Sequence, residues 1–150
     1  MRCVIQRVTN AFIEIDGIRY ATIGNGLLVL IGVENSDTFQ DAAWLSNKIV
    51  NLRIFNDEHG IMNLAVTDVG GELMVVSQFT LHASTKKGNR PSYIRAANPE
   101  IALTVYEEFI RKLKEDNKVK ICTGKFGAHM RISLVNDGPV TIIMDTKNKE

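Results

Sequence analysis

Four consecutive residues, Ser77, Gln78, Phe79 and Thr80, place two hydroxyls, a carboxamide and a run of backbone N–H groups where an apolar stretch ends. A hydroxyl can attack a carbonyl, and fixed N–H donors can hold the oxyanion that such an attack creates. Strand tips that open into loops are a common place for such groups. The loop that follows carries Lys86, Lys87 and Arg90, which suit the phosphates of a nucleic-acid backbone as well as they suit plain solvent exposure. A second basic and aromatic loop, TGKFGAHM at 123–130, offers Lys125 to a phosphate, while Phe126 is free either to stack on a base or to pack inward.

Other chemistries find less support. His59, His82 and His129 are too scattered for a metal-binding H-E-x-x-H, so neither a metal nor a cofactor is expected. Ser77 lies outside any G-x-S-x-G elbow, so a Ser-His-Asp esterase would have to be assembled purely in space. Cys3 and Cys122 form no C-x-x-C pair and have apolar neighbours, as buried reduced thiols do. A net charge of +1 gives no whole-molecule field for a polyanion, so any nucleic acid must be held by a local patch. MRCVIQRVTN lacks the pattern of a secretory signal, and no apolar run approaches the length of a membrane span. A cytoplasmic protein without a membrane role is expected.

The elements that must position these groups read as one domain over residues 1–150, long enough to bury a core without staples. Alternation at Val4, Gln6 and Val8, then Phe12–Ile15, Ile18–Ile23 after Asp16-Gly17, and Leu27–Val33, reads as four strands in a meander. A helix should start at Ser36 or Asp37 and turn Phe39, Ala42, Leu45 and Ile49 inward, with a strand near Leu52–Phe55. Glu72–Thr80 reads as a strand, and its run Leu73–Val76 suggests burial on both faces. Asn98 and Pro99 start a second helix whose stripe is Ala102, Val105, Phe109 and Leu113, with Glu107–Arg111 and Glu108–Lys112 pairs outside. Strands at Lys118–Cys122, Arg131–Val135 and Val140–Met144 complete an α/β chain that is mainly β. The expected build is three layers, β/β/α, with two covering helices.

Between the last two strands lies Asn136-Asp137-Gly138-Pro139, where a turn is the simplest reading. Taken together with MRCVIQRV, NLRIF, GGEL, VVSQFTL, KGNRPS and TGKFGAHM, however, SLVNDGPVT resembles the D-aminoacyl-tRNA deacylases, in collinear order over essentially the whole chain. The resemblance implies that Gly138 and Pro139 form a cis pair inserted into the partner's active site in a homodimer, fastened by Arg7. There they would bar L-aminoacyl groups by steric clash while admitting D-residues and glycine, including glycine mischarged on the alanine tRNA.

It further implies that Ser77, Gln78, Phe79 and Thr80 surround the ester. Phe126 and Met130 would line the substrate site, and Lys86, Lys87, Arg90 and Lys125 would hold the tRNA, the expected partner in place of DNA. Two mechanisms then compete. Thr80 is the nucleophile, or backbone N–H groups near Gln78 and Phe79 polarise the ester while the 2′-OH of the terminal adenosine activates water. With no basic side chain adjacent to activate Thr80, the RNA-assisted route is the expected one. No role falls to His82 on this reading. A non-catalytic RNA-binding module and a small-molecule esterase are the competing functions.

Overall fold

One long strand organises the molecule. β1 (Arg2–Ile15) runs unbroken where the alternation suggests two strands, in a computed structural model that describes residues 1–115 and 119–149. Two shifts of register against the last strand, between Gln6 and Val8 and between Val8 and Asn10, let β1 bend rather than stop. Before the bend, Cys3 and Ile5 face one apolar cluster; beyond it, Val8, Ala11 and Ile13 face another.

β2 (Ile18–Ile23) and β3 (Gly26–Gly32) pair antiparallel with the far and near halves of β1. α1 (Phe39–Val50) starts later than expected, because Thr38 and Asp41 bond to each other across its first turn. Asp37 is instead buried against the Met1 amino group and the Glu34 N–H. Ala42, Leu45 and Ile49 are buried as expected, whereas Phe39, at the exposed first position, points outward. The strand expected near Leu52–Phe55 shrinks to β4 (Phe55–Asn56), which makes a small hairpin with β5 (Met62–Leu64) apart from the main sheet.

β6 (Glu72–Ser77) lies parallel to β3, and its residues Leu73 to Val76 are all buried. The two backbones meet closely at Gly26, where a Cβ would stand 1.9 Å from the Glu72 carbonyl oxygen. β6 ends earlier than expected, and a single 3-10 turn, Phe79–His82, follows Gln78. α2 (Pro99–Glu115) is capped by the Asn98 side chain, which accepts the Ile101 N–H at 3.0 Å. On its outer face Arg111 pairs with Glu108 and Glu115, and Lys112 with Glu115, in place of the expected Glu107–Arg111 and Glu108–Lys112 pairs.

β7 (Lys120–Thr123) lies parallel to β6; Lys118, the expected start of that strand, falls outside the described residues. β8 (Arg131–Asp145) runs antiparallel along nearly all of β1 and replaces the two strands expected there. The main sheet therefore has the order β2-β1-β3-β6-β7 with β8 on the other edge of β1. It curls until β2 meets β6 and β7: Glu72 accepts the Gly24 N–H at 2.7 Å, and Cys122 Sγ donates to the Thr22 carbonyl at 3.7 Å. The nearly closed sheet encloses Leu28, Met74 and Val76, while α1 and α2 cover Val29, Ile31 and Val75 on its other face. This is the β/β/α layering. Among the described residues no helix is long and apolar enough to cross a membrane.

Burial separates the two thiols. Cys3 is fully buried, and burial pushes its thiol up to about 12; Cys122 is half-buried. At pH 8.5 an alkylating reagent should therefore modify native protein at Cys122 first and reach Cys3 only after unfolding. Peptide mapping of alkylated protein, with and without denaturant, checks this order.

Candidate active site

Parallel strands β3 and β6 end side by side, and beyond their C-terminal ends opens a cavity of about 660 Å³. Ile31, Val33, Val76 and Ser77 form its floor. The 123–130 loop supplies Phe126, His129 and Met130, and the start of α2 supplies Pro99, Ala102 and Tyr106. Segment 93–97 makes the remaining wall. It is held by the Ala97 N–H donating to the Val33 carbonyl at 3.0 Å and by Arg95 pairing with Glu34 at 3.1 Å.

Of the expected site residues, Ser77, Gln78, Phe79, Phe126 and Met130 all line this cavity; Thr80 does not. The Thr80 Oγ accepts a hydrogen bond from Gln78 Nε2, a contact that draws electron density from the oxygen instead of removing its proton. The Gln78 N–H is committed to the Ile31 carbonyl at 2.6 Å. Phe79 opens the 3-10 turn, and among the described residues no hydrogen bond uses its N–H. At the tip of β6, where the Gln78 N–H is committed, Phe79 thus offers a free backbone donor beside the cavity.

Phe126 packs inward, tilted against Tyr106 at 5.7 Å, and still lines the cavity. Met130 folds back over Gly124, where an added Cβ would lie 2.6 Å from its sulfur. Lys86, Lys87 and Arg90 sit on an exposed loop pinched at its base by two backbone bonds between Ser84 and Ser92, at 2.8 and 2.9 Å. Like Lys125 they stand outside the cavity.

Sequence reasoning missed Tyr93, His129 and Tyr106. Tyr93 meets Phe79 edge-on at 5.1 Å on the cavity rim, and nothing in its spacing announces that contact. Tyr106 was detectable, since it follows Ala102 by one helical turn on the inward stripe. Burial raises its hydroxyl pKa, and the hydroxyl donates to the Val75 carbonyl at 3.2 Å. Tyr106→Phe should destabilise the protein by about 1 kcal/mol, read from urea unfolding.

Gly138 and Pro139 lie elsewhere. Along the β1–β8 ladder the pairing jumps from Gln6–Thr141 to Val8–Asn136, so Asp137 to Val140 stand out as a bulge opposite Arg7. The corner is exposed, Gly138 has φ +124, and the Gly138–Pro139 peptide is cis. Buried Arg7 fastens it: Nε donates to the Asp137 carbonyl at 3.2 Å and pairs with its carboxylate at 3.0 Å, while Nη1 donates to the Ile54 carbonyl at 2.7 Å. The corner contributes nothing to the cavity of its own chain. Among the described residues no three His, Cys, Asp or Glu side chains cluster as metal ligands would.

Comparison with known proteins gives this arrangement a class, then a family. Curated relatives from Flavobacterium johnsoniae and Bacteroides thetaiotaomicron are 56% and 58% identical to the chain, each over 100% of both sequences, and both are D-aminoacyl-tRNA deacylases. The class is therefore a hydrolase acting on aminoacyl-tRNA. The family profile described as D-Tyr-tRNA(Tyr) deacylase matches residues 4–145, and the chain belongs to that family.

Two solved structures share the fold. A c-Myc DNA unwinding element binding protein is 39% identical with a TM-score of 0.92, over 97% of this chain and 98% of that one. A probable eukaryotic D-amino acid tRNA deacylase, at 14% identity and a TM-score of 0.79 over 95% and 97% of the two chains, matches in fold alone.

Proposed function

We propose that this deacylase works as a homodimer in the cytoplasm, and that Gly138 and Pro139 of each protomer complete the cavity of the other. The observation that carries this reading is an exposed corner, braced by a buried arginine, that is absent from its own chain's cavity. A brace of that kind has little purpose on a free surface turn. Brought against a partner's cavity, backbone atoms at the corner crowd one side of the substrate α-carbon. A hydrogen fits there and an L side chain does not.

The ester carbonyl then lies against the Phe79 N–H, the free donor at the tip, which strengthens as the oxygen takes up charge. The 2′-OH of the terminal adenosine helps activate water, and Lys86, Lys87, Arg90 and Lys125 bind tRNA phosphates outside the cavity. Rejection by clash does not exclude glycine, so glycine mischarged on the alanine tRNA is also removed. The test compares hydrolysis of D-tyrosyl-, L-tyrosyl- and glycyl-tRNA alongside sedimentation of the protein. Cleavage of the D and glycyl substrates but not the L substrate by a dimer is expected. Equal cleavage of D and L, or a fully active monomer, would overturn the reading.

A further inference from the structure

Among the described residues, the buried side-chain nitrogens without a hydrogen-bond partner are the two of a single ring, His82 Nδ1 and Nε2. The ring is 1% exposed and closes the 3-10 turn that begins at Phe79. It rests on Gly32 of β3. A Cβ added there would stand 2.9 Å from His82 Cδ2, 3.1 Å from His82 Nε2 and 3.0 Å from the Gln78 carbonyl oxygen. The imidazole edge, the bare Gly32 backbone and the Gln78 carbonyl thus converge on one small space.

That carbonyl matters because the Gln78 C=O and the Phe79 N–H are opposite ends of one peptide plane. Whatever bears on the oxygen also aims the N–H. The rest of the turn is held by the Gln78 N–H on the Ile31 carbonyl and by Arg2 Nη1 donating to the Leu81 carbonyl at 2.9 Å. Neither of these bonds acts on the Gln78 oxygen; the Leu81 N–H reaches it only at 3.3 Å. An imidazole buried without a partner lowers stability relative to an apolar side chain of similar shape, so its presence here calls for a role that a hydrocarbon would not fill.

We infer that His82 is a positioning residue for the deacylation: its ring sets the Gln78–Phe79 peptide plane so that the Phe79 N–H meets the ester oxygen. As charge develops on that oxygen, a ring N–H closes onto the Gln78 carbonyl and polarises the same peptide, strengthening the Phe79 donor. This rests on the reading of Phe79 as the oxyanion donor, and it adds to that reading a residue buried behind the donor.

The experiment measures steady-state kcat and KM on D-tyrosyl-tRNA for wild-type protein, His82→Phe, His82→Leu and His82→Gln, with melting temperatures for each. His82→Phe and His82→Leu should melt no lower than wild type and lose about 10- to 100-fold in kcat with KM little changed. His82→Gln keeps an N–H donor and should recover part of that rate. Wild-type rates in either apolar variant would overturn the inference, and so would an equal loss in all three, which marks a ring that merely fills space. If the apolar variants fail to fold, the comparison of His82→Gln with Gly32→Ala decides. Gly32→Ala pushes ring and carbonyl apart, and unchanged kcat there overturns the inference too. Failure of the underlying reading is seen separately, as wild-type protein that does not tell D- from L-tyrosyl-tRNA.

Discussion

A D-aminoacyl-tRNA ending in 2′-deoxyadenosine should turn over about a hundredfold or more slowly than the natural substrate, while Thr80→Ala should stay within about threefold of wild type. The expectation follows from what surrounds each hydroxyl. Thr80 Oγ is absent from the cavity lining and accepts a bond from Gln78 Nε2, so the amide opposes rather than aids its nucleophilicity. His82, two residues on, leaves both ring nitrogens unbonded and does not serve Thr80 as a base. Among the described residues no Asp, Glu, Lys or Arg lines the cavity, and the titratable side chains there are Tyr93, Tyr106 and His129.

Tyr106 is committed to Val75, which leaves Tyr93 on the rim and His129, exposed at the mouth, and of these the histidine is the usual kind of general base. His129→Gln therefore belongs in the same series. A substrate 2′-OH is delivered with the ester itself, and one positioned proton-transfer group is worth about 10²- to 10⁴-fold. Quenched-flow rates with matched tRNAs decide the matter. Near-normal turnover of the deoxy substrate, or collapse in Thr80→Ala or His129→Gln, would return the chemistry to the protein.

Sequence patterns carried much of this architecture where burial is periodic. Leu73 to Val76 announced a strand buried on both faces, and Asn98-Pro99 announced the start of α2. They misled where one strand does two jobs. β1 and β8 each read as two strands because the polar residues at their bends, Thr9-Asn10 and Asn136-Asp137, look like turns; instead the two strands shift register there and resume their ladder beyond it. The strand expected to run through Thr80 ends early for a related reason. In an extended strand it would sit two residues beyond Gln78 on the same face, but β3 ends at Gly32, and the chain, with no further edge to pair with, winds into a 3-10 turn that carries Thr80 off the cavity. The cavity wall from 93–97 was illegible for a different reason. Its place is set by Val33 and Glu34, about sixty residues earlier, and no local pattern encodes such a contact.

Arg7→Ala should lower stability by about 2–3 kcal/mol and also admit L-aminoacyl-tRNA as a substrate. The first effect follows from burial. Arg7 is 6% exposed, and its removal leaves the Ile54 carbonyl without its 2.7 Å donor and the Asp137 carboxylate without its partner. The second follows from stiffness, since a steric wall rejects only what it does not yield to. Gly138 is wedged between the guanidinium and Val140: a Cβ there would stand 3.1 Å from Arg7 Nη2 and 2.8 Å from Val140 Cγ2. Without the guanidinium the corner keeps the Asn136 side chain, which accepts the Val140 N–H at 3.0 Å, but gains room to recoil.

The ratio of D to L rates should then fall by about tenfold or more, since displacements near 1 Å at a reacting centre carry effects of that size. Arg7→Lys, a single point donor in place of a planar fork, should fall between the two. A mixed dimer shows whose cavity the corner serves. One protomer carries Arg7→Ala together with Ala97→Trp, which fills its own cavity, and the other is wild type, so all turnover comes from the wild-type cavity. Lost selectivity in that dimer means that the corner acts across the interface; full selectivity means that each chain guards its own substrate.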